Sequence, residues 1–213
     1  LTIAVSVTRL GMDTTADWLL PRHKATDPAQ VPGAMTLLFT STAVAGIVMA
    51  LLWLPARHLW PSTDAPVVAV VDVVIWILPV AAVTTVALAC TRAFGGVLAF
   101  NAVDNVLIPL LRPLALVLAH LLGFGVLGAA LGWALPVVAG CAVASVVLHR
   151  SVSRLRATLP AGTEVPRWPT RDLRGQVARY CVPRTFASAM EQSIVWIGVL
   201  LVGLIAGDAA AGI

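Results

Sequence analysis

Apolar residues do not alternate with polar ones along this chain; they gather into runs of about twenty, parted by short polar stretches. A run of that length is what an α-helix needs to cross about 30 Å of hydrocarbon. The clearest covers residues 34–54 (AMTLLFTSTAVAGIVMALLWL) and carries no charge. The same pattern predicts spans over about 67–90, 101–122, 126–148 and 183–206. Residues 106–148 are too many for one crossing, so Gly123-Phe124-Gly125 marks the expected reversal between the third span and the fourth. Residues 1–10 lack the charged n-region of a signal peptide and read as the end of an earlier span. The expected fold class is therefore all-α: a polytopic transmembrane helix bundle of about five full spans plus the end of another.

The polar stretches divide that bundle. Arg9 to Asp27 is amphipathic, with Trp18 and Leu19 beside charges, and suits an interfacial helix or loop. Pro55, Pro61 and Pro66 punctuate the next connection, flanked by Trp53 and Trp60 at the depth of an aromatic belt. Residues 149–181 change character, with seven arginines together with Pro160, Pro166 and Pro169. The expected organisation is an N-terminal helical bundle over 1–148, a basic linker over 149–181, and the first span of a second bundle over 182–213. That last segment stops without a closing polar tail and reads as incomplete.

Composition changes the picture only by excluding classes. Of 213 residues 59% are hydrophobic and 11% charged, with a mean hydropathy of +0.93, against about a quarter charged in a soluble domain. The net charge of +4 could suggest nucleic acid, but the basic residues sit between apolar runs, where an anionic leaflet is the better partner. Alternating the five spans puts Arg9, Arg22, Lys24, Arg92, Arg150, Arg154, Arg156, Arg167, Arg171, Arg174, Arg179 and Arg184 on one side and Arg57 alone on the other. The positive-inside rule then makes the 149–181 linker cytoplasmic. Cys90, Cys141 and Cys181 are far apart and form no CxxC pair, so free thiols are expected, with no metal and no cofactor. Catalytic triads, P-loops, paired catalytic carboxylates and zinc spacing are absent from the sequence, which lowers the weight of an enzyme.

Arg112 is the one cation the topology rule does not explain. It lies inside a span between Pro109 and Pro113, and an intramembrane arginine costs about 3 kcal/mol or more unless it faces protein or water. At about 100° per residue Asn101, Asn105 and Arg112 fall within about 40° of one another, with Asp104 roughly 60° to one side. Two readings stand side by side: a cationic lining for an anionic substrate, or an arginine that snorkels or pairs with an acid. Asp72 is a second embedded charge, either a titrating ion-coupling group or a carboxylate reaching outer interfacial water. Glu191 shares a helical stripe with Thr185, Ser188 and Gln192, so Glu191 and Gln192 join the candidate lining and Glu191 the candidate coupling groups. Polar packing between helices would account for the same stripe.

Arg9-Leu-Gly-Met-Asp13 followed by Leu20-Pro21-Arg22 resembles the RLGLDTA…VPRY segment of polysaccharide-biosynthesis flippases. These belong to the multidrug/oligosaccharidyl-lipid/polysaccharide (MOP) exporter superfamily. Asn105-Val-Leu-Ile-Pro-Leu-Leu-Arg112, Val182-Pro183-Arg184 and the ending Val202 to Ile213, similar to the family's LLGPAAAGIY turn, extend the likeness over nearly the whole chain. The resemblance implies a MATE-like architecture of two six-helix bundles joined by a cytoplasmic loop, of which this chain runs from late span two to the end of span seven. It also implies alternating access that carries a lipid-linked, diphosphate-bearing oligosaccharide across the membrane, with Arg112 drawing in the diphosphate. Polymerases and glycosyltransferases of polysaccharide synthesis are the implied partners. One departure stands out: Trp196-Ile197-Gly198 occupies the place where many relatives carry an acid. A cation-coupled multidrug exporter of the same superfamily, or a membrane-embedded enzyme or assembly partner of envelope synthesis, are the alternative readings.

Overall fold

The computed structural model describes residues 2–59, 65–160, 163, 165–166 and 168–206. Among them every regular element is helical: α1 (Thr2–Thr8), α2 (Met12–Thr26), α3 (Val31–Ala56), α4 (Ala65–Val74), α5 (Leu78–Ala93), α6 (Val97–Asn101), α7 (Ile108–Leu121), α8 (Gly125–Ala157) and α9 (Arg171–Ala206). A 3-10 turn at Ile75–Ile77 joins α4 to α5, and a π-helical segment at Ala102–Leu107 joins α6 to α7. Among the described residues four stretches are long and apolar enough to cross a bilayer: Pro28–Ala56, Val70–Ala93, Val97–Leu121 and Ala130–Ala157. The fifth expected span falls within the C-terminal part of α9.

Proline explains where the spans deviate from plain α-helix. Its ring collides with the carbonyl four residues back and it offers no N–H. Pro79 and Pro109 each sit just after a re-wound stretch, the 3-10 turn before the first and the π segment before the second. Both re-windings displace the carbonyl with which the ring would clash.

Reversals are made by glycine. After α7, Gly123 takes a left-handed φ of 75°, its N–H donating to the His120 carbonyl at 3.0 Å while the Phe124 N–H donates to Ala119 at 3.1 Å. That pairing closes the orphan carbonyls of a helix end, and the chain turns there as expected. Gly95 and Gly96 repeat the arrangement after α5, on Arg92 and Thr91.

Helix α5 is central, packed on α2, α3 and α8. At its contact with α3, a Cβ on Gly46 would lie 2.6 Å from the Pro79 Cα, so only glycine permits this approach. Gly128 and Gly132 of α8 face Ala119 and Leu116 of α7 in the same way. The outward faces carry the opposite character: Val44, Ile47, Leu51 and Leu52 on α3, and Leu110, Leu114 and Val117 on α7, are exposed. An apolar surface that large is what lipid, and not water, covers.

In two polar regions the structure adds detail to the sequence reading. The interfacial segment forms helix α2, and its inner face is packed: Met12, Thr15, Ala16, Leu19 and Leu20 are buried against the ends of α3, α5 and α9. The extent of this packing was hidden because Thr and Ala on a packed face look polar or neutral in a hydropathy pattern. The 149–181 linker is also mostly helical, since α8 extends to Ala157 and α9 begins at Arg171. Leu173 and Val177 of that basic stretch join the α2 core, which anchors the first turns of α9.

This packing gathers the cations. Arg92 forms a two-pronged ion pair with Asp17, Lys24 lies over the Phe94 ring at 5.7 Å, and Arg22 lies over Trp18, itself stacked on Tyr180. The start of α3 and the ends of α5 and α8 meet in the same cluster, so the bundle has one basic end.

Candidate functional site

A cavity of about 400 Å³ opens between α1, α5, α7 and α8. Its charged lining is Arg9, Asp104 and Arg112, and Thr84, Thr85 and Trp133 supply the remaining polar and aromatic wall. Of the sequence candidates the structure thus brings Arg112 and Asp104 together. Asn101 and Asn105 do not join them; both are exposed, and the Asn105 amide donates to the Asn101 oxygen at 2.9 Å. The cause is the π segment, whose residues advance less than 100° each around the axis. That slower rotation carries Asp104 into line with Arg112 and turns Asn101 and Asn105 aside, which corrects the stripe drawn on a straight helix.

Arg112 and Asp104 lie eight positions apart, so the α7 side of the cavity extends ~12 Å along the helix. The Arg112 guanidinium stands 5.9 Å from the Trp133 ring centroid, a cation–π contact that holds the charge without neutralising it. Among the described residues no carboxylate lies within 4 Å of it.

Arg9 was read from the sequence as part of an interfacial helix or loop and not as a lining residue. The turn Arg9-Leu10-Gly11 aims it at the cavity: Leu10 and Gly11 both adopt left-handed φ, 50° and 63°. For leucine that conformation is strained, and a Cβ on Gly11 would press on the Arg184 side chain of α9 at 3.0 Å. The Arg9 guanidinium pairs with Asp13 at 3.6 Å, while its Nε is buried without a hydrogen-bond partner. The only sequence signal was the Arg-Leu-Gly turn itself, together with Thr84-Thr85, a hydroxyl pair inside an apolar span. Both hydroxyls donate to backbone carbonyls one turn back, at 2.7 and 2.8 Å.

Arg9 also borders a smaller polar cavity of about 150 Å³, shared with Asp13, Arg184, Ser188 and Glu191. Glu191 therefore stands near the arginines at the α1–α9 junction and outside the larger cavity. The Gln192 side chain and the stretch 207–213 lie outside the described residues. Asp72 lines neither cavity: its carboxylate accepts the Trp53 indole N–H at 2.7 Å and pairs with Arg57 at 3.7 Å. Cys181 is packed against Met12 and Thr15, and burial raises its thiol above the ordinary pKa while the Thr15 contact opposes the shift.

The larger cavity offers two guanidiniums, one carboxylate and an indole, formally +1, in apolar surroundings. Such a lining suits a ligand with delocalised negative charge, since guanidinium matches phosphate geometry in a two-pronged fork. Comparison of the chain with family models, with curated proteins and with solved structures finds no match in any of the three.

Proposed function

We propose that the chain is part of a plasma-membrane transporter that moves a lipid-linked, diphosphate-bearing oligosaccharide or polysaccharide precursor by alternating access. The observation that carries this reading is the convergence of Arg9 and Arg112 on one cavity walled by apolar helices. Arg112, set deeper in the apolar stretch than Asp104, draws phosphate charge inward; Arg9 meets it from α1. The transport step makes or breaks no covalent bond, so the protein supplies binding and orientation alone. A drug exporter for cations would favour an acidic lining, and two arginines against the single Asp104 disfavour its cargo. The flippase resemblance in Arg9–Asp13 and Asn105–Arg112 falls on the segments that build this cavity. Polysaccharide polymerases or glycosyltransferases would supply and consume the cargo.

Flux of a fluorescent lipid-diphosphate sugar in proteoliposomes tests the reading. Arg112→Ala is expected to cut flux about tenfold or more, the loss expected for a charge-assisted contact of ~1.5–3 kcal/mol. Unchanged flux in a folded variant overturns it. The proposed orientation puts the basic end in the cytoplasm. A cysteine replacing Thr158 is then expected to resist impermeant thiol reagents in intact cells, and ready labelling from outside reverses the topology.

A further inference from the structure

A second cavity, of about 410 Å³, lies between α3, α5 and α8 at the basic end. None of its lining residues belongs to the arginine cavity. On α5 it is bordered by Val83 and Ala87, on the other side of the helix from Thr85, which faces the arginines. Its character changes along its length. Met35, Phe39, Val83 and Leu148 make the inner part apolar, whereas His149 and Arg156 border it toward the end of α8. Ser145 and Arg156 are eleven positions apart on α8, so the groove runs ~16 Å from charged rim to apolar interior.

We propose that this groove is a binding site for one anionic phospholipid from the leaflet at the basic end, distinct from any transported cargo. The head-group phosphate sits against the Arg156 guanidinium and the His149 imidazole N–H, and the upper acyl chain lies along Met35, Phe39 and Leu148. Charge complementarity argues for this occupant: a basic rim over an apolar slot matches an anionic head on a hydrocarbon chain, and basic pockets between membrane helices bind such heads. A soluble anion would leave the slot unfilled, and a zwitterionic lipid would forfeit the net attraction. The inference rests on the chain being embedded in a bilayer, and it does not need the arginine cavity to carry a diphosphate.

The test is native mass spectrometry of the purified full chain released from micelles containing equal phosphatidylglycerol and phosphatidylcholine of matched chain length. The wild type is expected to retain one phosphatidylglycerol with about fivefold preference, the scale of one arginine near a charged surface. Arg156→Gln should bring the preference close to parity and Arg156→Lys should keep most of it. Arg150→Gln removes the same charge from α8 outside the groove and should leave the preference intact. Thr36→Trp, which fills the slot, should reduce retention of both lipids. Equal retention by the wild type, or equal loss in Arg150→Gln, overturns the site. Displacement by glycerol 3-phosphate at the lipid's own concentration would also overturn it, as the mark of a free-phosphate site. Because this readout is binding and not flux, its failure leaves the transport proposal standing, and the reverse holds as well.

Discussion

Asp72 and Arg112 are both single charges inside apolar helices, and the structure treats them in opposite ways. Asp72 is answered: the Trp53 indole donates to one carboxylate oxygen at 2.7 Å and Arg57 stands 3.7 Å from the other. Among the described residues Arg57 is also the lone Lys or Arg at the end away from the basic cluster, so the pair removes two isolated charges at once. Arg112 is left facing a cavity, with an aromatic ring at 5.9 Å and a second arginine across the space. The first arrangement satisfies charge for the sake of the fold. The second keeps charge available for something that is not part of the fold. An embedded charge is therefore best judged by what its neighbours leave unsatisfied, and its depth in the helix is a poorer guide.

That contrast can be broken or sharpened by substitution. The largest expected effect is on flux, where Arg112→Ala should be severe and Asp72→Asn within about twofold of wild type; a severe loss in Asp72→Asn would make the outer pair part of the transport cycle. Next comes packing: Gly46→Ala forces a methyl against the Pro79 backbone and should lower stability by ~1–3 kcal/mol, the usual cost of overpacking. Thermal unfolding in detergent checks it, with Gly95→Ala as the contrasting case, since space is open there but its φ of 89° is strained. The smallest effect belongs to Asp72 itself. Trp53→Phe removes one hydrogen bond to a partly exposed carboxylate and should cost about 1 kcal/mol or less.

Much of the helical layout was legible because it depends on run length alone. The spans at 34–54 and 67–90, the reversal at Gly123 and the crowding of cations at one end all follow from apolar length, glycine and charge placement. The site was legible only in part. Arg112 could be singled out because a charge in an apolar run is conspicuous, but its phase relative to Asp104 depends on the π segment before Pro109. A helical wheel assumes that such a segment is absent. Arg9 was harder still, since a cation in a turn looks like every other loop cation. What distinguishes it is the left-handed pair Leu10-Gly11, which directs it inward, and left-handed backbone at a leucine leaves no trace in composition. The packing of helix α2 was hidden for a related reason: Thr15 and Ala16 are fully buried, yet neither residue type announces a core.

The most direct measurement is the affinity of the purified chain for a fluorescent lipid diphosphate, compared across wild type, Arg9→Ala, Arg112→Ala and the double variant, with the neutral lipid alcohol as control. Each single substitution is expected to weaken diphosphate binding about tenfold or more, the double to abolish it, and the alcohol to bind all four proteins alike. Diphosphate affinity that survives the loss of either arginine would contradict a shared cavity for the anion.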